Sequence, residues 1–225
     1  MVIGNGLIAT AFKSYVDNDK VVIFASGVSN SSETNDETFF KESTLLRGTL
    51  KKNKDKIIVY FSSVFNCDRN KLVYMNHKRH MEEIISNSPN KFIILRLPQV
   101  IGAGGNPNTL VNFMVNKLKN NETIDVYKKA KRNLLDVEDV EKIVSKILSE
   151  KIFGIFDLNS IEPIFVEDIV NIIGKHLNIT PDINLIAGHQ HIIFAKNSII
   201  FESLLKEIGI NYNGYTEFLI KKYVK

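Results

Sequence analysis

The chain has 225 residues, 44% of them hydrophobic, enough for one substantial domain with a real core and a small appendage. The formal net charge is only +4, with Lys and Arg scattered among Asp and Glu, which argues for anionic small molecules and against nucleic acid. The single cysteine, Cys67, excludes an intrachain disulfide, no apolar run approaches the roughly 18 residues of a membrane span, and no leader pattern opens the chain, so a soluble cytoplasmic protein is expected.

Met1-Val2-Ile3 is apolar and leads at once into Gly4-Asn5-Gly6-Leu7-Ile8-Ala9. Leu7, Ala11, Phe12 and Tyr15 then recur with a helical period. Strand, Gly-x-Gly-x-x-Ala and helix, in that order, make a dinucleotide-binding fingerprint. The first glycine permits the tight turn and the second lets backbone approach a pyrophosphate. The small third residue lets helix and strand pack closely, and the helix N-terminus attracts the anion. The plainer reading is an ordinary glycine-rich turn. The first strand is short, and a start codon assigned too late would account for that.

Residues 21–25 read as a second strand, ending in Ala25-Ser26-Gly27 before a polar stretch. A complete dinucleotide fold places Asp or Glu roughly 20 residues past the glycines, at the end of this strand, to hold the adenosine ribose. No carboxylate stands there. Residues 39–50 read as a helix. Residues 56–61 are almost wholly apolar, as a buried parallel strand is. Ser62-Ser63 cap its C-terminal end, where ligands sit in open α/β sheets.

After a short loop, Tyr74-Met75-Asn76-His77-Lys78 opens a helix that runs to Ile85. Residues four apart share a helix face, so a phenol and an ammonium project side by side, a few residues downstream of a hydroxyl. Tyr is a poor base at neutral pH, its free pKa being about 10, and a neighbouring cation favours the phenolate. Ser, Tyr and Lys set this way are the parts of a proton-transfer site. The plainer reading is a half-buried Tyr beside a surface Lys, with serines that merely end a strand. His77 and His80 share the helix, but no carboxylate or Cys set accompanies them, so no metal site is expected; His189 and His191 read the same way.

Residues 92–95 form a fourth strand, continued by Arg96-Leu97-Pro98-Gln99 and a turn at Gly104-Gly105-Asn106-Pro107. A helix at 109–118 and a short strand at 123–127 follow. Arg132-Asn133-Leu134-Leu135-Asp136-Val137-Glu138-Asp139-Val140 leads into a helix at 137–148, with Asp136 and Asp139 complementing its dipole. Residues 154–158 read as a last strand. Two helices, 166–177 and 198–208, flank an apolar segment. Alternating strand and helix gives a parallel α/β sheet.

The order of these motifs resembles the extended short-chain dehydrogenase/reductase superfamily, in its nucleotide-sugar epimerase/dehydratase branch, over residues 1 to about 160. The resemblance implies a Rossmann-like parallel sheet with flanking helices in residues 1–160. It implies a small, mainly helical substrate-binding part in 161–225 that is not a separate folding unit. NAD or NADP is the implied cofactor and a nucleotide sugar the implied substrate. A homodimer would form through the Tyr74 helix and the helix after Phe39, with neither nucleic acid nor membrane as partner.

In that reading Ser63 hydrogen-bonds the reacting sugar oxygen, Tyr74 is the general acid/base, and Lys78 lowers the Tyr pKa and holds the nicotinamide ribose. Gly4, Gly6, Leu7, Ile8 and Ala9 line the pyrophosphate. Ala25, Ser26 and Gly27 run past the cofactor, and Pro98 lies near the nicotinamide. Gln99 and Asn108 contact the sugar, and Arg132 meets the nucleotide diphosphate. The implied activity is an NAD(P)-dependent oxidoreductase or epimerase with hydride transfer at a sugar carbon. Epimerisation and 4-keto reduction rank above dehydration, because the segment from Ser63 to Tyr74 offers no Glu and only Asp68. The alternative is a non-catalytic nucleotide- or cofactor-binding protein that kept the fold.

Two features depart from the family. Only about 15 residues separate Ala9 from Ala25, where two further strand–helix units are usual. The strand at Val21 therefore matches the family's fourth, and part of the adenosine-binding half is missing with its ribose carboxylate. The interval from Ser63 to Tyr74 is also short, which implies a reduced substrate-shielding loop.

Overall fold

The structure is a computed structural model, and it describes residues 1–64, 72–104, 106–107, 109–158, 163–187, 203, 205–209 and 213–225. In chain order its elements are β1 (Val2–Ile3), α1 (Leu7–Ala11), a 3-10 turn (Lys13–Tyr15), β2 (Val21–Phe24), α2 (Asp36–Lys52), β3 (Ile57–Ser63), α3 (Leu72–Ser86) and β4 (Phe92–Leu97). Then come β5 (Gln99–Ile101), α4 (Leu110–Lys119), β6 (Ile124–Tyr127), β7 (Lys131–Arg132), β8 (Leu134–Asp136), α5 (Val137–Ser149) and β9 (Gly154–Asp157). The chain closes with β10 (Ile164–Phe165), α6 (Val166–Leu177), β11 (Ile183–Ile186) and α7 (Tyr215–Tyr223).

The main sheet has five strands in the order β1-β2-β3-β4-β9, all parallel. β3 is its apolar centre. Its alternate residues enter two cores, as the two-residue period of a strand requires. Ile58 and Tyr60 join Leu46 and Leu50 of α2 and Met81 and Ile85 of α3 on one face. Val59 and Phe61 join Phe12, Ile143 of α5 and Ile169 of α6 on the other. Both faces are covered, which is why the strand reads as a continuous apolar run. Each such aliphatic side chain contributes about 1.5–3 kcal/mol on burial.

Capping sets the helix boundaries. The side chain of Asn35 accepts a hydrogen bond from the Glu37 N–H, and Asp36 and Glu37 fill the first turn, so α2 begins before the apolar period that predicts it from Phe39. Asp136 caps α5 in the same way, accepting from the Glu138 N–H, and Asp139 lies in its first turn as expected. β3 runs two residues further than predicted, so Ser62 and Ser63 are themselves paired, with Arg96 and Leu97.

Three small ladders lie outside the main sheet. β5 pairs with β8, β7 with β10 and β6 with β11. The last joins residues 183–186 to residues 124–127 in parallel, and α6 and α7 pack together. Among the described residues no helix is long and apolar enough to cross a membrane. Most of the helix predicted at 198–208, together with Cys67, Asp68, Asn108, His189 and His191, lies outside the described residues.

Candidate active site

The carboxyl ends of β1 to β4 collect most of the sequence-predicted site residues at one edge of the sheet. Gly4 follows β1 with φ +124, and a Cβ there would lie 2.4 Å from the Ala25 carbonyl oxygen at the end of β2. Only glycine allows the two strand ends to approach so closely. Gly6 caps α1, and a Cβ at Gly6 would meet nothing within 4 Å. Ala9 is buried, as the close helix–strand packing requires. The helix behind this turn has five residues before it tightens into the 3-10 turn. A shallow pocket beside it is lined by Leu7, Gln99, Val100, Gly102 and Leu134.

Tyr74 and Lys78 lie on the buried face of α3 with Met75, Met81 and Ile85. Tyr74 packs with Phe39 and Met75, and the Lys78 ammonium sits 5.7 Å from its ring centroid. The pairing read from the four-residue spacing therefore exists in space. Its setting is more enclosed than a Tyr beside a surface Lys, since Lys78 is 2% exposed. The Lys78 Nζ donates to Glu42 Oε1 at 3.1 Å and to the Tyr60 hydroxyl at 3.2 Å. Tyr60 in turn donates to Glu42 Oε1 at 2.8 Å. The second Glu42 oxygen accepts from the Val28 N–H at 2.8 Å and lies 2.9 Å from His77 Nε2. The ring of His77 stacks on Phe39 with centroids 4.4 Å apart. Gly27 is pressed onto this group, for a Cβ there would stand 2.9 Å from Lys78 Nζ.

Burial alone would raise the Glu42 carboxyl, but the His77 hydrogen bond, the Lys78 charge and the donors from Val28 and Tyr60 outweigh it and hold it at about 2. The Tyr60 phenol is pushed well above its usual value, first by burial and then by the Glu42 charge. Neither Glu42 nor Tyr60 is among the residues that sequence spacing selects. The available signal was a carboxylate on the buried stripe of α2, which runs Phe39, Glu42, Leu46, Thr49, Leu50.

The two strand-end serines differ. Strand alternation sets Ser62 on the Tyr60 side of the sheet and Ser63 on the Phe61 side. Among the described residues Ser62 Oγ is buried without a hydrogen-bond partner, and Ser63 Oγ reaches the Val64 carbonyl at 3.5 Å. Pro98 links β4 to β5, and the Gln99 N–H donates to the Asn133 carbonyl at 3.1 Å. The β5–β8 ladder thus carries Gln99 against the segment that follows Arg132. Arg132 lies in β7, with its Nη1 donating to the Lys131 carbonyl at 2.8 Å. His80 is not beside His77's partners; it is exposed, between Arg47 and Glu83.

A parallel sheet with a glycine turn after its first strand, serines at the end of a central one and a buried Tyr–Lys pair on the next helix defines the Rossmann-like class of nucleotide-cofactor folds. The profile of the NAD dependent epimerase/dehydratase family matches residues 5–156, and the chain belongs to that family. It is 30% identical over 162 residues to a CDP-abequose synthase from Salmonella muenchen, a match covering 68% of this chain and 54% of that one. The chain thus spans about half the length of that relative. Among solved structures it resembles UDP-glucose 4-epimerase from Thermus thermophilus, in complex with NAD, with TM-score 0.69 and 11% identity. That match covers 96% of this chain and 81% of the other. It also resembles the Bordetella bronchiseptica enzyme WbmH, in complex with NAD+, with TM-score 0.71, 15% identity and coverage of 96% and 78%. At such identities the likeness speaks for the fold alone.

The residues present fit the dinucleotide that the family name implies at the pyrophosphate and nicotinamide side. The Gly4 turn and the open space over Gly6 leave backbone accessible there. The Ser62 hydroxyl, without a partner among the described residues, offers a hydrogen bond at the end of β3.

Proposed function

We propose that this chain is an NAD(P)-dependent oxidoreductase or epimerase acting on a nucleotide-linked sugar, with Tyr74 as the general acid/base. The observation that carries the reading is the Tyr74–Lys78 pair on one buried face of α3, with a cation 5.7 Å from the phenol ring. Gly4, Gly6, Leu7, Ile8 and Ala9 would hold the pyrophosphate, and Ala25, Ser26, Gly27, Lys78 and Pro98 would line the nicotinamide half. When bound, the nicotinamide supplies or accepts a hydride at a sugar carbon. Tyr74 passes the hydroxyl proton of that carbon, and Ser63, at the end of β3, polarises the same oxygen. Gln99, Asn108 and Arg132 would meet the sugar and its diphosphate, and residues 161–225 would form the substrate-binding part. The Salmonella relative makes CDP-linked sugars the first to test, with UDP-linked sugars second.

The proposal keeps the expected cytoplasmic setting and the homodimer. Support for the dimer is apolar exposure on the two helices expected to form it: Phe40 and Leu45 on α2, Leu72 and Val73 on α3. The mechanism is tested with Tyr74→Phe. We expect turnover of CDP- and UDP-sugars with NADH or NADPH to fall by about 10²–10⁴-fold, the usual contribution of a positioned acid/base, while cofactor binding measured by calorimetry persists. Wild-type turnover in Tyr74→Phe would sink the assignment.

A further inference from the structure

Glu42 belongs to the buried cluster around Lys78, although no catalytic motif includes it. Its side chain is 2% exposed, as is that of Lys78, and the two form an ion pair at 3.1 Å. A lysine so enclosed favours its neutral form unless a counter-charge holds the proton. Glu42 is that counter-charge. It stays ionised because both its oxygens are engaged: Tyr60 and Lys78 on one, Val28 N–H and His77 on the other. Glu82 on α3 is also buried, and it is taken by Arg96 of β4 at 2.7 Å. Glu42 is therefore the carboxylate that answers Lys78 among the described residues.

We propose that Glu42 is a positioning residue of the proton-transfer site, holding the Lys78 ammonium charged and fixed beside Tyr74 so that the Tyr74 hydroxyl can release and take back its proton. The inference rests on the reading of Tyr74 and Lys78 as the acid/base pair. Without the carboxylate, the enclosed Lys78 gives up its proton, and a neutral amine does not favour a phenolate. The α2 helix, which motif reading assigns to packing and pairing alone, thereby sets the electrostatics of the reaction centre.

The chain contains seven Tyr and no Trp, so the ultraviolet absorbance of tyrosinate can be followed without indole interference. The difference between the full chain and Tyr74→Phe isolates the titration of position 74. Glu42→Gln keeps the shape and removes the charge. Its position-74 midpoint is expected not to fall: removing the Glu42 charge alone would favour the phenolate, and loss of the Lys78 proton offsets that. Lys78→Met leaves Glu42 unanswered and should raise the midpoint, and the double variant should bring it back. A folded Glu42→Gln with a lowered midpoint overturns the proposal, because Lys78 then keeps its charge without the carboxylate. If circular dichroism shows Glu42→Gln unfolded, the double variant, whose cluster holds no unpaired charge, is compared with Lys78→Met instead, and equal midpoints in those two overturn the proposal equally. Turnover separates the two layers of the argument. A Tyr74→Phe enzyme that still works removes the acid/base reading and this inference with it. An inactive Tyr74→Phe combined with a lowered position-74 midpoint in Glu42→Gln removes this inference alone.

Discussion

Four donors converge on one carboxylate at Glu42, and the unfolded chain has nothing to match them. The folded carboxyl sits at about 2, below its ordinary 4.5, so the unfolded state binds this proton more readily. Stability from this group is therefore complete above about pH 4.5 and drains as pH falls toward 2. The difference corresponds to on the order of 3 kcal/mol. Chemical denaturation across this window should show wild type losing more stability on acidification than Glu42→Gln, which has no carboxyl to protonate. Equal acid sensitivity of the two proteins would contradict this. Tyr74 and Lys78 were legible because four-residue spacing is a property of the helix itself. Glu42 was not, because reading the apolar period of residues 39–50 treats every polar residue as facing solvent. Its position three residues after Phe39 and four before Leu46 puts it on the buried stripe.

Helices α2 and α3 each present two faces. Inward they carry the Glu42–Lys78 cluster and the aliphatic residues that cover the sheet. Outward they leave Phe40 at 69% exposure and Leu72 at 54%, with Leu45 and Val73 also exposed. The proposed dimer contact would bury these side chains. Phe40→Asp with Val73→Asp should then convert a sedimenting dimer to a monomer without loss of secondary structure. A wild-type chain that sediments as a monomer at micromolar concentration excludes the dimer. Elements of two or three residues such as β5, β7, β8 and β10 escaped the sequence because so short a run has no period to count. β5, β7 and β8 exist because partner strands lie beside them. Helix α7 is fixed similarly by distant partners. The Tyr215 hydroxyl donates to Asp139 and accepts from the Asp136 N–H, while Lys222 and Tyr223 bind the Asp136 carboxylate. The motif that caps α5 is thereby the anchor for the chain's last helix.

At the scale of the whole molecule, the strand order runs one way from β1. In a doubly wound sheet a dinucleotide spans the point where the order reverses, one half on each side. Here the chain passes from α1 through the 3-10 turn directly to β2, which pairs with β1. Among the described residues β1 ends the sheet, and β2 is followed by Ala25-Ser26-Gly27 with no carboxylate. The adenosine half of a cofactor therefore meets little wall. We expect NADH and reduced nicotinamide mononucleotide to bind within about tenfold of each other, a difference of about 1.4 kcal/mol or less. Calorimetric titration of both decides it, and a dinucleotide preference beyond about a hundredfold would contradict the expectation.

The sequence by itself determined the parallel α/β class, the glycine turn, the Tyr74–Lys78 pairing and the shortened first half. Each of these is local: an apolar run, a helical spacing, or a count of residues between two motifs. Only the tertiary structure decided which strand lies at the sheet edge, which of the two serines is left without a partner, and what answers the charge on Lys78. Those depend on residues distant in sequence meeting across the sheet, as Glu42, Tyr60 and Lys78 do at 2.8–3.2 Å. Enclosure there turns a surface-type ion pair into a fixed internal one, because burial removes the water that would otherwise have screened it.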